Sequence, residues 1–284
     1  MTNVLSFEQE WVRACPKRIQ ILRFIREAID VKETSWDMIT KVNLIKVANY
    51  IKGKVAANSA RTYFAEICAF LHNYDEEGII PCRHPEEVLK AKKVPQQNVA
   101  LTESELKLIE NYYDKLWTKK GHQCEKDVLT LFLLEAFCGA RSGDVEELTT
   151  ANIQDGRLMY VSEKTHTLAT IPAHRRLQQL LERKPTTVYS GGTKNRTIKR
   201  VAKKVGITQI VTIYYRGKMH SWPKYRYLGT HSARRSFASV LSAKGVPTAE
   251  ISQYMGHSDI AMTNRYIKVE SDKASAAALS FFNG

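Results

Sequence analysis

The stretch "THSARRSFAS", residues 230–239, crowds a histidine and two arginines into the start of a segment whose downstream pattern predicts a helix. Ala233, Phe237, Val240 and Leu241 recur at i, i+4, i+7 and i+8 and make one apolar face. At about 100° per residue, His231 and Arg235 fall roughly opposite that face, while Arg234 falls beside Leu241 at the edge of the buried stripe. A guanidinium there is costly unless it is paired or aimed at an anion. Two readings follow, a structural salt bridge or an anion site. Cations near a helix N-terminus oppose the macrodipole, and a phosphate in that turn would satisfy both the dipole and the cations.

Working outward, "PTAEISQYMG" (247–256) predicts a short helix closed by Gly256, and "SDIAMTNRYI" (258–267) another, capped by Ser258 or Asp259. The tail "SDKASAAALSFFNG" (271–284) is amphipathic, with Ala274, Ala278, Phe281 and Phe282 at helical spacing. Upstream, Val128–Phe137 is apolar nearly all round and predicts a buried central helix. It stops at "CGARSGD" (138–144), where Gly139 suits a left-handed cap and leaves Arg141 just past the end. Ser142 or Asp144 then opens the next helix. In "RLMYVSEKTHTLATIPAH" (157–174) the period changes to two, and Leu158, Tyr160, Thr167, Ala169 and Ile171 fit two short strands around "SEKT". Lys164 then sits in the hairpin turn. The segment 184–229 is basic, rich in Gly and Thr, and ambiguous; within it "VTIYYRGK" reads as a strand or an extended arm.

Residues 1–91 read as all helix. "VNLIKVANYIKG" (42–53) is one helix closed by Gly53, and "NSARTYFAEICAFLHNYDEEG" (58–78) another, capped by Asn58 or Ser59. Lys52, Lys54 and Arg61 cluster at their junction, as a solvated face or as contacts to a polyanion. "AKKVPQQNVA" (91–100) is polar and aperiodic and reads as a linker. Beyond it Thr102 and Glu105 form a capping box and Leu101 and Leu106 a hydrophobic staple, so a second domain starts at 101.

The chain has 284 residues, with 43 Lys and Arg against 29 Asp and Glu, a formal net charge of +14. Such a balance points to a polyanion, of which nucleic acid is the commonest. The five cysteines, Cys15, Cys68, Cys82, Cys124 and Cys138, are odd in number and form no CxxC; they read as reduced residues, partly in the core, of a cytoplasmic protein. The N-terminus carries charges where a signal peptide has an apolar region. The longest apolar run, "LTLFLLEAF", is far too short to span a bilayer. No Asp/Glu/His grouping suggests a metal site.

Taken singly, the polar landmarks have plain readings: Lys164 a solvated hairpin lysine, Gly256-His257-Ser258 a turn, Tyr266 packing at a helix end. Together, "CGARSGDVEELT", "VSEKTHTLATIP" and "THSARRSFASVLSAKGVPTAEISQYMGHSDIAMTNRY", in this order and spacing, closely resemble the tyrosine recombinase (phage integrase) family. Residues 101–270 resemble its catalytic domain well, and 35–90 its helical core-binding domain more loosely. The resemblance implies a mainly α protein with a small β-sheet. It would comprise a helical, SAM-like core-binding domain (1–91), a linker (92–100) and an α+β catalytic domain (101–284) whose tail is exchanged between protomers. It implies that Arg141 and Arg234 bind the scissile phosphate and that Lys164, His231 and His257 are catalytic. Tyr266 is then the nucleophile, Asp144 supports Arg141, and Lys52, Lys54, Arg61 and Arg235 are candidate DNA contacts.

The chemistry of the family asks for these residue types. A covalent phosphotyrosyl intermediate conserves the energy of the broken phosphodiester, so neither ATP nor any other cofactor is needed. The tyrosine takes the 3′-phosphate and frees a 5′-hydroxyl. A phenol with a pKa of about 10 needs a base or a strongly cationic setting; His231 is the candidate base. Two arginine forks hold the growing charge on the non-bridging oxygens, which makes a metal unnecessary. Lys164 is the candidate acid for the leaving oxygen, and His257 would donate to the phosphate. The resemblance further implies duplex DNA with short sites, a free monomer, a homotetramer on DNA and a Holliday junction. The location it implies is the nucleoid of a prokaryotic host, with the gene carried by the prokaryote or a phage, most simply to integrate or excise a mobile element. Larger relatives carry an extra N-terminal arm-binding segment; its absence favours simple sites or help from a host DNA-bending protein. The rivals are a type IB topoisomerase, which shares the chemistry, and a catalytically inactive DNA-binding regulator. Relaxation of a plasmid without sites separates the first, and failure to form a covalent adduct the second.

Overall fold

A computed structural model of the chain describes residues 5–74, 78–94, 99–215 and 218–264. In chain order the helices are α1 (Phe7–Ala14), α2 (Ile19–Ile29), α3 (Lys41–Lys54), α4 (Ala57–His72), α5 (Glu103–Trp117), α6 (Gln123–Cys138) and α7 (Ser142–Glu147). Strands β1 (Ile153–Gln154), β2 (Arg157–Val161) and β3 (Leu168–Pro172) follow, then helices α8 (Arg175–Glu182) and α9 (Gly191–Lys204) and strands β4 (Ile210–Tyr215) and β5 (Lys218–Pro223). Helices α10 (Thr230–Ala243), α11 (Thr248–Tyr254) and α12 (Ile260–Asn264) complete the described elements. The chain is thus mainly helical with two small sheets. It divides into two compact units, one of Met1–Gln97 with Ile213–His220, the other of Asn98–Thr212 with Ser221–Gly284. The division falls inside the stretch 92–100, and it assigns Ile213–His220 to the first unit, which a contiguous reading of the chain does not provide for.

The first unit owes its helices to local signals and its stability to aromatic packing. Ser6 and Gln9 form a reciprocal capping box at the start of α1, and the Thr40 hydroxyl caps α3. Phe7, Trp11, Trp36, Phe70 and Tyr74 interlock, with the Phe70 ring 4.8 Å from Trp11 and 5.3 Å from Tyr74. Two expected boundaries move. Gly53 does not close α3, which runs on to Lys54. The cap position of α4 is Ala56; Asn58 instead bonds both backbone groups of Val94, at 2.8 and 2.9 Å. The Asn58 side chain pins Val94, outside any helix or strand, rather than capping its own helix.

In the second unit the Thr102–Glu105 capping box opens α5, with Leu101 and Leu106 buried beside it. The interior is built on α6, whose residues 125–136 are all buried, polar ones included. Helix α10 packs across it. Gly139 ends α6 with φ +67°, and a Cβ there would overlap the Phe237 ring of α10. Glycine is required both by the left-handed backbone and by the closeness of the two helices. The hairpin of β2 and β3 pairs Leu158 with Ile171 and Tyr160 with Ala169, and β1 adds a third antiparallel strand.

Helix α9 is the element the pattern of the chain hid. Lys194, Thr197, Ile198, Val201 and Ala202 are its buried residues, at true helical spacing. Two of those positions carry Lys and Thr, and the helix begins Gly-Gly, so the apolar period is broken where it should announce itself. Ser190 caps it and Lys194 is neutralised by Glu146. "VTIYYRGK" contributes to β4 and β5, which form a two-stranded sheet. All five cysteines are free, and Cys68, Cys82 and Cys138 are buried. Among the described residues no helix is long and apolar enough to cross a membrane.

Candidate active site

The first arginine is set by a helix stop. Gly139 turns the chain out of α6, and Arg141 lands at the N-cap position of α7. Neither Ser142 nor Asp144 caps that helix by its side chain. Asp144 points the other way, accepting from the Ser162 hydroxyl at 3.0 Å and from the Glu163 backbone N–H at 3.1 Å. Arg141 lies 3.9 Å from the Asp144 carboxylate and donates to Ser162. Asp144 therefore supports Arg141 mainly through a serine. The same carboxylate fixes the turn that carries Lys164, so the arginine and the hairpin lysine share one anchor. Lys164 itself is exposed.

Arg234 is more deeply placed than the edge of a stripe. It is 1% exposed. Its Nη1 donates to the Gly139 carbonyl and its Nη2 to the Met255 carbonyl at 2.8 Å, with His257 Nε2 at 2.6 Å. The end of α6 and the end of α11 thus meet on one guanidinium, which a planar fork with five donors can do and a lysine cannot. Gly256, with φ +59°, turns the chain after α11 and presents His257. The Gly256 carbonyl accepts from Thr165 Oγ1 at 3.0 Å, and Arg141 reaches that same hydroxyl at 3.5 Å. Hydroxyls on the hairpin therefore bind the Arg141 side of the pocket to the His257 side.

The start of α10 is also tied down. Its Thr230 N–H is capped by the Asn195 side chain of α9 at 3.1 Å, an amide that a Cβ at Gly229 would push aside. His231 follows, with a solvent-exposed edge. Loss of water around its ring, then the charges of Arg235, Arg234, Lys164 and Arg141, hold its pKa below the ordinary histidine value. Four cations from three separate stretches thus add to burial in disfavouring the charged imidazole. His257 is pushed down further, to about 3, first by burial and then by Arg234 and Arg141.

The structure thus brings Arg141, Asp144, Lys164, His231, Arg234 and His257 into one neighbourhood of the second unit, with half-buried Arg235 on its rim. Tyr266 and the tail 271–284 lie outside the described residues. Lys52, Lys54 and Arg61 are exposed on the first unit. Lys52 and Lys54 lie over the rings of Phe64 and Tyr50, at 5.8 and 5.1 Å, and close the last turn of α3. The expectation that His257 donates to an anion meets a different arrangement here: its Nε2 faces a guanidinium, which can only donate. Residues that reading the chain missed are Ser162, Thr165, Asn195 and Thr263. Each is a short polar side chain that recurs throughout the chain and carries no signal until the fold gives it a partner.

The sequence model of the phage integrase family matches residues 78–273. No curated protein matches the chain in sequence. Similar solved structures include a lambda integrase tetramer bound to a Holliday junction, 18% identical over 94% of this chain and 78% of that one, with a TM-score of 0.63. The XerH site-specific recombinase, in a post-cleavage complex with a palindromic difH substrate, is 15% identical over 90% and 75%, with a TM-score of 0.62. The Tn1549 transposon integrase, in complex with transposon right end DNA, is 16% identical over 96% and 98%, with a TM-score of 0.59.

Proposed function

The chain belongs to the phage integrase family, and from that premise we propose that its cationic pocket holds the scissile phosphate of duplex DNA while Tyr266 attacks it. The protein is a tyrosine-type site-specific DNA recombinase. One observation carries the assignment of the pocket: Arg234, wholly buried, is held in place by the ends of two helices beside His257, while Arg141 is anchored through Ser162 to the hairpin that carries Lys164. Arg141 and Arg234 stabilise the charge that grows on the non-bridging oxygens as the phosphorane forms. His231, whose pKa is held down by burial and the neighbouring cations, is the base that takes the phenolic proton of Tyr266. The phenolate oxygen bonds to phosphorus, the bond from phosphorus to the 5′-oxygen breaks, and Lys164 delivers a proton to that oxygen. Reversal with a different 5′-hydroxyl rejoins the strand.

The helical unit, through Lys52, Lys54 and Arg61, and Arg235 beside the pocket add phosphate contacts that carry affinity rather than sequence. The boundaries 1–91, 92–100 and 101–284 describe a core-binding domain, a linker and a catalytic domain, both domains contacting the duplex. Four protomers act on two sites through a Holliday junction, as the lambda integrase tetramer is seen bound to one. The tail 271–284, with Phe281 and Phe282, docks on the neighbouring protomer and couples the sites. The free protein is a monomer, it acts on short, simple sites or with a host DNA-bending protein, and the place of action is the nucleoid.

The test is a nicked suicide duplex carrying a binding site selected from a random library. Without ATP or added metal, the chain should become covalently joined to the 3′ side of the break and survive denaturation. Tight, specific binding with no adduct would reduce the protein to a regulator. Relaxation of supercoiled plasmid lacking the site would make it a topoisomerase.

A further inference from the structure

The deepest polar contacts of the pocket do not stop at His257. Its Nδ1 lies 2.7 Å from Thr263 Oγ1, on α12, and Thr263 is 0% exposed. The directions of the bonds follow from elimination. Arg234 Nη2 can only donate, so His257 Nε2, 2.6 Å away, must accept and carry no proton. A neutral imidazole has one proton, which then sits on Nδ1 and is donated to the threonine oxygen. Burying a hydroxyl without a partner is unfavourable, and a valine would fill the same space without that liability. Thr263 is three residues before Tyr266, and the start of its helix is fixed by Asp259, which accepts from the Ala261 N–H at 2.8 Å.

We infer that Thr263 is a positioning residue of the cleavage reaction: its hydroxyl selects the His257 tautomer that orients Arg234, and it ties the segment leading to Tyr266 to the arginine that grips the phosphate. The inference rests on reading the pocket as a DNA-cleavage site. Removing the hydroxyl takes away the Thr263 acceptor and weakens the preference for a proton on Nδ1 over one on Nε2. A proton on Nε2 opposes the Nη2 protons of Arg234 and turns the fork out of register. Both consequences act on the chemical step, since the surface cations that hold DNA are untouched.

The experiment compares Thr263→Val and Thr263→Ser with the unaltered full chain. Adduct formation on the nicked suicide duplex is measured in single turnover at saturating protein, with DNA affinity and thermal melting alongside. Thr263→Val should slow cleavage about ten-fold, the effect of one lost hydrogen bond behind the arginine that grips the phosphate, with affinity unchanged. Thr263→Ser should recover the rate to within about two-fold. In parallel, the free protein labelled with ¹⁵N-histidine should show His257 with Nε2 unprotonated, assigned by loss of the signal in His257→Asn, and Thr263→Val should shift it towards protonated Nε2. A wild-type cleavage rate in Thr263→Val overturns the inference. So does an equal loss in the serine and valine variants that follows their melting temperatures, and so does a protonated Nε2 in the unaltered chain. Failure of the unaltered chain to form any adduct strikes instead at the function, and the tautomer still decides the relay.

Discussion

The two units bury different things. The interior of the first is aromatic and aliphatic: Phe7, Trp11, Phe64, Phe70 and their neighbours, with buried Glu8 answered on the spot by Arg26 and the Thr34 N–H at 2.7 Å. Around the end of α6 in the second unit, the buried set contains Arg234, His257, Asp144, Glu135 and Thr263. Apolar burial is non-directional and roughly proportional to area, so many sequences achieve it. Polar burial is costly unless every group finds its partner at the right angle. An arginine, a histidine and two acids are buried around one helix end, drawn there from separate stretches of the chain. The lesson is that the first unit is held by how much it buries and the pocket by which atoms meet.

That contrast can be broken from either side. The largest effect belongs to the aromatic core. Phe70→Ala should lower unfolding stability by about 3–5 kcal/mol in denaturant titration, because the rings of Phe7, Trp11, Trp36 and Tyr74 all pack on a side chain whose removal leaves a cavity. Its cleavage rate per folded molecule should stay near that of the unaltered chain. A variant that keeps its stability would show that the first unit is not held by this cluster. In the pocket, Arg234→Lys keeps the charge and loses the fork. It should slow adduct formation by about two to three orders of magnitude while DNA is still bound. A near-normal rate would return Arg234 to the role of a structural cross-link between α6 and α11.

Glu135 gives a finer test, through pH. It is 1% exposed on α6, and one of its carboxyl oxygens has no hydrogen-bond partner among the described residues. Burial raises its pKa from 4.5 to about 8, against opposing help from Ser142, Lys194 and Arg234. The folded state therefore holds this proton where the unfolded chain releases it. The resulting stability is complete below about 4.5 and is lost as pH rises through about 8. Glu135→Gln removes that dependence, so its melting temperature relative to the unaltered chain should climb across this window and then level off. A constant difference between the two proteins would mean that Glu135 is ionised in the fold. The smallest effect is expected on the surface of the first unit. Replacing Lys52, Lys54 and Arg61 with Ala should weaken binding to all duplexes and flatten the salt dependence, by about 0.9 in slope for each phosphate no longer neutralised. An unchanged slope would leave Lys52 and Lys54 with their ring contacts alone.

Much of this was legible in the chain because the signals were local. The cap pair Thr102 and Glu105, the left-handed stop at Gly139 and the alternation around Lys164 each state their own geometry within a few residues. The family motifs did the rest, since their order and spacing carry a site assembled from distant segments. Legibility ended where a side chain serves a partner remote in sequence. Asn58 reads as a cap and binds Val94; Asn195 lies in a helix with a broken period and caps another helix. Arg234 reads as an edge residue because the helical wheel of α10 shows one helix and omits α6 and α11, whose ends enclose it. Ser162 and Thr263 could not be found before the fold placed Asp144 and His257 beside them.

The central claim is that this pocket exists to drive attack by Tyr266 on a phosphodiester. It is tested most directly by trapping the adduct on the nicked suicide duplex, digesting the protein and locating the nucleotide remnant by mass spectrometry, with Tyr266→Phe carried in parallel. The account predicts the remnant on the peptide containing Tyr266, through its phenolic oxygen, and no adduct from Tyr266→Phe although that variant binds DNA as well as the unaltered chain. A remnant on any other residue, or an adduct that persists in Tyr266→Phe, would contradict it.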